Sequence, residues 1–162
     1  MAGRTKDRAD APLQVSVEER VAADAPRLYG LVSDVTNMGR WSPETTSCRW
    51  IRGATGPVVG ARFRGANRAG WRRWSTTCTV VAADPDRLFS FDVALGPIPV
   101  ARWTYRFEPD GDGCRVIETW DDRRLRRLYG FSALLMGVPD RPEHSRRSME
   151  QTLAALKAVV EG

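Results

Sequence analysis

The chain has 162 residues, 42% of them hydrophobic, and a net charge of +5. That length fits one domain, able to remove roughly 70% of its unfolded surface from water without disulfide staples; no apolar run approaches the ~20 residues of a membrane span, which excludes integral membrane association. The excess charge is carried by arginine, since only Lys6 and Lys157 are lysine, and the clusters recur along the chain without a nucleic-acid-binding motif.

Nucleic acid is therefore not expected as a partner. The arginines read first as solvated surface, with transient contact to an acidic lipid surface as the next reading. Cys48, Cys78 and Cys114 are odd in number and far apart, so reduced thiols are expected, with no disulfide and no metal site. Residues 1–12 are charged and lack the apolar stretch of a signal peptide. They read as a disordered lead-in to a cytoplasmic domain over 13–162.

Val15–Ala22 alternates apolar and polar residues and predicts a half-buried strand. Asp24 then supplies a helix cap, and Pro26 fits the first turn, where a missing N–H costs little. Leu28, Tyr29, Leu31 and Val32 follow at helical spacing. A second short turn is expected near Asn37–Trp41, stopped by Ser42-Pro43.

From there to Asp121 the pattern has period two. Strands are predicted at Ser47–Arg52, Arg62–Arg68, Arg73–Ala83, Arg87–Val93, Val100–Phe107 and Cys114–Asp121. Gly56-Pro57, Asp84-Pro85-Asp86 and Pro109-Asp110-Gly111-Asp112-Gly113 mark turns, and Gly96-Pro97-Ile98-Pro99 a loop or edge irregularity. Short connections between sequential strands give an antiparallel meander.

One face of that meander is aromatic, and a C-terminal helix is positioned to cover it. Asp140-Arg141-Pro142-Glu143 resembles a capping box. Met149, Leu153, Leu156 and Val160 follow at spacings of four, three and four. A helix over 140–161 would span about 33 Å, enough to cross the sheet. Leu125, Leu128, Leu135 and Met136 suggest a further amphipathic segment over 123–138, read as a lid or as static packing.

The order of elements, with Ala25-Pro26-x-Leu28-Tyr29, Val32-Ser33-Asp34, Met38-x-x-Trp41-Ser42-Pro43-Glu44, Gly60-x-x-Phe63-x-Gly65-x-Asn67, Trp103-x-Tyr105-x-Phe107 and Gly113-x-x-Val116-x-Glu118-x-Trp120, resembles the START-like, or helix-grip, superfamily. It is most similar to the bacterial polyketide cyclase/dehydrase and lipid-transport family. The resemblance covers residues 13–161. It implies an α+β helix-grip fold: a curved antiparallel sheet of about seven strands wrapped around a long C-terminal helix, with two short helices after the first strand. Members of the family include binders and cyclases, so the activity has to come from the site.

Strand phasing sends Phe63, Asn67, Trp74, Thr76, Phe89 and Phe91 to the concave side, joined by Trp103, Tyr105, Glu118 and Trp120. Trp41 is expected at the mouth, and Met149 and Leu153 on the helix above. These thirteen are the candidate ligand-binding residues for an apolar small molecule: a lipid, polyketide or isoprenoid. Some of the rings could equally pack beneath the helix as core.

Glu118 has three readings: outside against Arg102, Arg106 or Arg115; inside and structural; or inside and working with Tyr105 as acid/base. His144, the one histidine, reads as solvated on the polar side of its helix with Arg141. No phosphate loop, dinucleotide fingerprint or zinc-helix motif is present, so no cofactor is expected. Binding or transport is the leading expectation. A polyketide cyclase/dehydratase and a protein-interaction module with a vestigial pocket are the alternatives. Oligomeric state is left open.

Overall fold

The computed structural model describes residues 13–124 and 141–162. Strands β1 (Gln14–Val21), β2 (Thr45–Ile51), β3 (Arg62–Ala69), β4 (Arg72–Asp84), β5 (Leu88–Leu95), β6 (Ile98–Asp110) and β7 (Gly113–Asp122) form one sheet. Helix α1 (Ala25–Ser33) and a 3-10 helix (Val35–Arg40) connect β1 to β2, and α2 (Arg141–Glu161) closes the chain. The strand order is β1-β7-β6-β5-β4-β3-β2, antiparallel throughout. The helix-grip expectation holds, with seven strands.

The local reasons are those the sequence suggests. The Asp24 side chain accepts from the Arg27 N–H, and Asp34 does the same for Thr36, capping α1 and the 3-10 helix in turn. Gly39 sits so close to β2 that a Cβ there would stand 2.3 Å from the Thr46 carbonyl oxygen. Strand bounds shift by a few residues from those predicted. The largest change is at 94–99: Ala94 and Leu95 pair with Pro99 and Ile98, so the segment is a tight hairpin whose strands continue nearly to Gly96-Pro97. Register slips between Thr45 and Ser47, Val80 and Ala82, and Val93 and Ala94. Such bulges bend strands and sharpen their twist, and here they curve the sheet.

Helix α2 packs on β1 and β7. Its buried stripe changes character along its length: Arg141 and Ser145 near the start, then Met149, Thr152, Leu153, Leu156 and Val160. The apolar half enters the main core with Val21, Phe89 and Phe107. Each fully buried Leu side chain there contributes roughly 1.5–3 kcal/mol. A second cluster joins Met149 to Val15, Val100, Ala101 and Trp120. The predicted cap residue Asp140 and most of segment 123–138 lie outside the described residues.

Candidate functional site

Between the two clusters, the sheet and α2 leave a cavity of about 70 Å³, room for several waters or a compact organic group. Phe63, Asn67, Trp74, Thr76 and Phe91 line it, with Trp103, Tyr105 and Glu118 opposite. These eight come from β3 to β7, and their alternation along each strand places them on one face. Five other candidates do not line it. Trp41, Phe89 and Leu153 lie in the main core, and Trp120 and Met149 in the second cluster. The cavity persists where small side chains stand among the large ones.

Strand phasing puts Gly65, Cys78 and Ala101 on this face too, but aromatic and apolar periodicity does not single out such small residues as cavity lining. Gly65, Cys48, Cys78 and Ala101 line the sheet side, and Ser148 and Thr152 line the helix side. A Cβ on Gly65 would come within 3.2 Å of Thr76 Oγ1 and 3.6 Å of Cys48 Sγ. Thr152 turns its hydroxyl hydrogen to the Ser148 carbonyl at 2.8 Å. On the sheet side a polar chain runs from Thr45 Oγ1 to Asn67 Oδ1 (3.0 Å) and from Asn67 Nδ2 to Thr76 Oγ1 (3.1 Å).

Glu118 is inside. It is 2% exposed, and the Tyr105 hydroxyl donates to its Oε1 at 2.7 Å. Its Oε2 is buried without a protein partner. Burial pushes the Glu118 carboxyl up to about 8, against a smaller opposing effect of the Tyr105 hydrogen bond. Tyr105 is driven well above the ordinary phenol value, first by burial and then by Glu118. At neutral pH Glu118 is therefore mainly a neutral acid. The Tyr105 hydrogen bond goes to Oε1, which leaves Oε2 as the oxygen able to hold the proton and donate it.

A second polar group closes the wall beside α2, and here the sequence reading is corrected. Arg141 is buried, while His144 is half-exposed with its side chain 38% accessible. Both Arg141 terminal nitrogens reach the Glu44 carboxylate at 3.2 Å, and His144 Nε2 lies 2.8 Å from Glu44 Oε2. The Arg141 side chain is 8% exposed and that of Glu44 13%. Burial alone would raise Glu44; the His144 hydrogen bond and the Arg141 charge outweigh it, so the carboxyl sits below its usual range. The residue pair is 97 positions apart in sequence, and no local pattern signals it.

Burial raises both cavity thiols, Cys48 to about 12 and Cys78 further, so neither is an activated nucleophile. Among the described residues no group of three or more His, Cys, Asp or Glu converges as a metal site, and no helix is long and apolar enough to cross a membrane. Asn67 and Trp74 line both the cavity and a surface concavity with Thr46, Arg68 and Arg73. These two residues form the wall between the two spaces.

Residues 12–161 match the family model for polyketide cyclase/dehydrase and lipid transport. A polyketide-cyclase-like protein of Corynebacterium glutamicum is 30% identical and superposes with a TM-score of 0.64, covering 94% of this chain and 93% of that one. A Chromobacterium violaceum protein, at 14% identity and TM-score 0.69, covers 93% and 99%. The di-domain ARO/CYC protein StfQ of the steffimycin biosynthetic pathway, at 13% identity and TM-score 0.73, covers 96% of this chain, which spans only 53% of StfQ. The last two show likeness of fold alone. No curated protein matches the sequence.

Proposed function

Since the chain belongs to the polyketide cyclase/dehydrase and lipid transport family, we propose that its cavity binds and carries a small, mainly apolar molecule that presents a carbonyl or ether oxygen to Glu118. One observation carries this reading: the buried Glu118 carboxyl lines an aromatic-walled cavity with its Oε2 unpartnered. A buried donor left unmade costs about 1–3 kcal/mol, and a ligand oxygen recovers it. Trp74, Phe91 and Trp103 supply flat apolar wall for a ring or polyene, and Asn67 and Thr76 a polar edge. Polyketide-derived aromatics and short isoprenoids have this mixture of surface.

A second reading is catalytic. The Glu118–Tyr105 contact and the value near 8 would suit a general acid in a cyclisation or dehydration. Against it, the Glu44 carboxylate on the cavity wall is already held by Arg141. His144 is engaged by Glu44, and Tyr105 is pushed away from ionising.

Native mass spectrometry of the protein purified from its own host is the test. A retained small molecule, lost or weakened at least tenfold in Glu118→Gln, supports the carrier. Glu118-dependent turnover of a poly-β-keto thioester supports the cyclase. Neither a retained mass nor turnover rejects both.

A further inference from the structure

The β3–β4 hairpin extends beyond its neighbours. β2 pairs with β3 only as far as Asn67, with one further bond from the Arg68 N–H to the Glu44 carbonyl. β4 pairs with β5 only from Thr77 onward. The rungs Arg68–Arg73 and Ala69–Arg72 therefore stand as a two-stranded ribbon outside the sheet. Gly70 and Trp71 close it, with Gly70 in the left-handed region at φ +61°. Trp71 at the apex is 83% exposed, and the Arg72 guanidinium lies 4.9 Å over its ring.

The charge along this stretch of the chain has one sign. Residues 45–83 contain seven arginines and no Asp or Glu. Arg62, Arg64 and Arg68 are exposed along the outer face of β3, and Arg73 across from Arg68. The stretch supplies no carboxylate of its own to neutralise them. The β5–β6 turn at Gly96-Pro97 lies at the same end of the sheet, because β4 runs away from the ribbon and β5 returns. It is flanked by the half-buried Leu95 and Ile98.

We propose that this ribbon docks the protein on an anionic phospholipid surface, with Trp71 seated at the headgroup level and Arg68 and Arg73 on lipid phosphates. An indole is apolar in body with one donor at its rim, which suits the bilayer interface. Arginines near an anionic leaflet are each drawn to it, at short range. A nucleic-acid surface is less well matched. Binding a strand takes a groove with successive stacking rings, and the ribbon presents one ring at an apex. Docking in this orientation puts Asn67 and Trp74, which line the cavity wall, one rung from the Arg68–Arg73 pair on the lipid phosphates.

The test is co-sedimentation of the full chain with vesicles of phosphatidylcholine alone and of phosphatidylcholine with phosphatidylglycerol at 3:1. Binding is expected only to the anionic vesicles, falling steeply with added salt. Trp71→Ala should weaken it by tenfold or more, and Arg68→Gln or Arg73→Gln by roughly fivefold each. All three sites are on the surface, so thermal melting should be unchanged, and ligand retention in the cavity should be too. That separates failure here from failure of the carrier reading. Equal binding to both vesicle types, no binding to either, binding indifferent to Trp71→Ala, or quantitative release by a single-stranded oligonucleotide would each overturn the proposal.

Discussion

Glu118→Gln should remove most of a pH-dependent instability built into the fold. The folded carboxyl titrates at about 8 against an ordinary 4.5. Below 4.5 both folded and unfolded chains hold the proton, and stability is complete. As pH rises from 4.5 to 8 the unfolded chain releases a proton that the folded chain keeps, so stability falls. Above 8 the folded chain ionises too, and the loss levels off. At about 1.4 kcal/mol per pH unit the full loss is on the order of 5 kcal/mol, and water drawn into the cavity on ionisation reduces it to about 2–5. That is a large share of a typical 5–15 kcal/mol. Glutamine keeps the shape and an acceptor for the Tyr105 hydroxyl but does not titrate. Urea denaturation of both proteins at pH 5, 7 and 9 isolates the effect, because other groups cancel in the difference. The variant should match the wild type at pH 5 and exceed it by several kcal/mol at pH 9. Parallel stability curves would refute the burial argument and, with it, the neutral-acid state of Glu118.

Two further substitutions probe the frame around the cavity. Glu44→Gln strands the buried Arg141 guanidinium, at a cost of about 3–5 kcal/mol by chemical denaturation at pH 7. The Glu44 carboxyl is depressed on folding, so its contribution is present above its ordinary value and lost as pH falls through the folded one. The gap between the two proteins should therefore close in acid. Gly39→Ala drives a Cβ into the Thr46 carbonyl, which is backbone and cannot rotate away. Thermal melting should show a loss of at least about 1–3 kcal/mol, whereas a melt matching the wild type would mean that the 3-10 helix lies further from β2.

The fold was readable because period-two alternation survives along almost every strand, and short turn-rich connections leave few topologies. The same alternation placed Phe63, Asn67, Thr76, Tyr105 and Glu118 on one face, and all five line the cavity. Phasing says which face a side chain takes but not how deeply it is packed. Trp120 and Met149 share the inward direction and yet fill a core of their own. Empty space is a property of what is absent, so Gly65, Ser148 and Thr152 carry no signal in a hydrophobic pattern. The Glu44–Arg141–His144 contact escaped for a different reason. Charged residues at a helix start look solvated until the chain brings a distant carboxylate against them.

The pairing of β1 with β7 bears on the order in which the chain assembles. Its rungs run from Gln14–Asp121 to Val21–Cys114, so the N-terminal strand finds its partner only after a loop of about 100 residues closes. The entropy of that closure is about 4 kcal/mol before any rung repays it. The other strand pairs are each made through a short local connection and close far more cheaply. Local hairpins thus accumulate first, as contact order predicts. On a ribosome β1 emerges first and is among the last to find its place. Helix α2 rests on β1, so it too must wait, and the cavity is not sealed until the two ends of the chain have met.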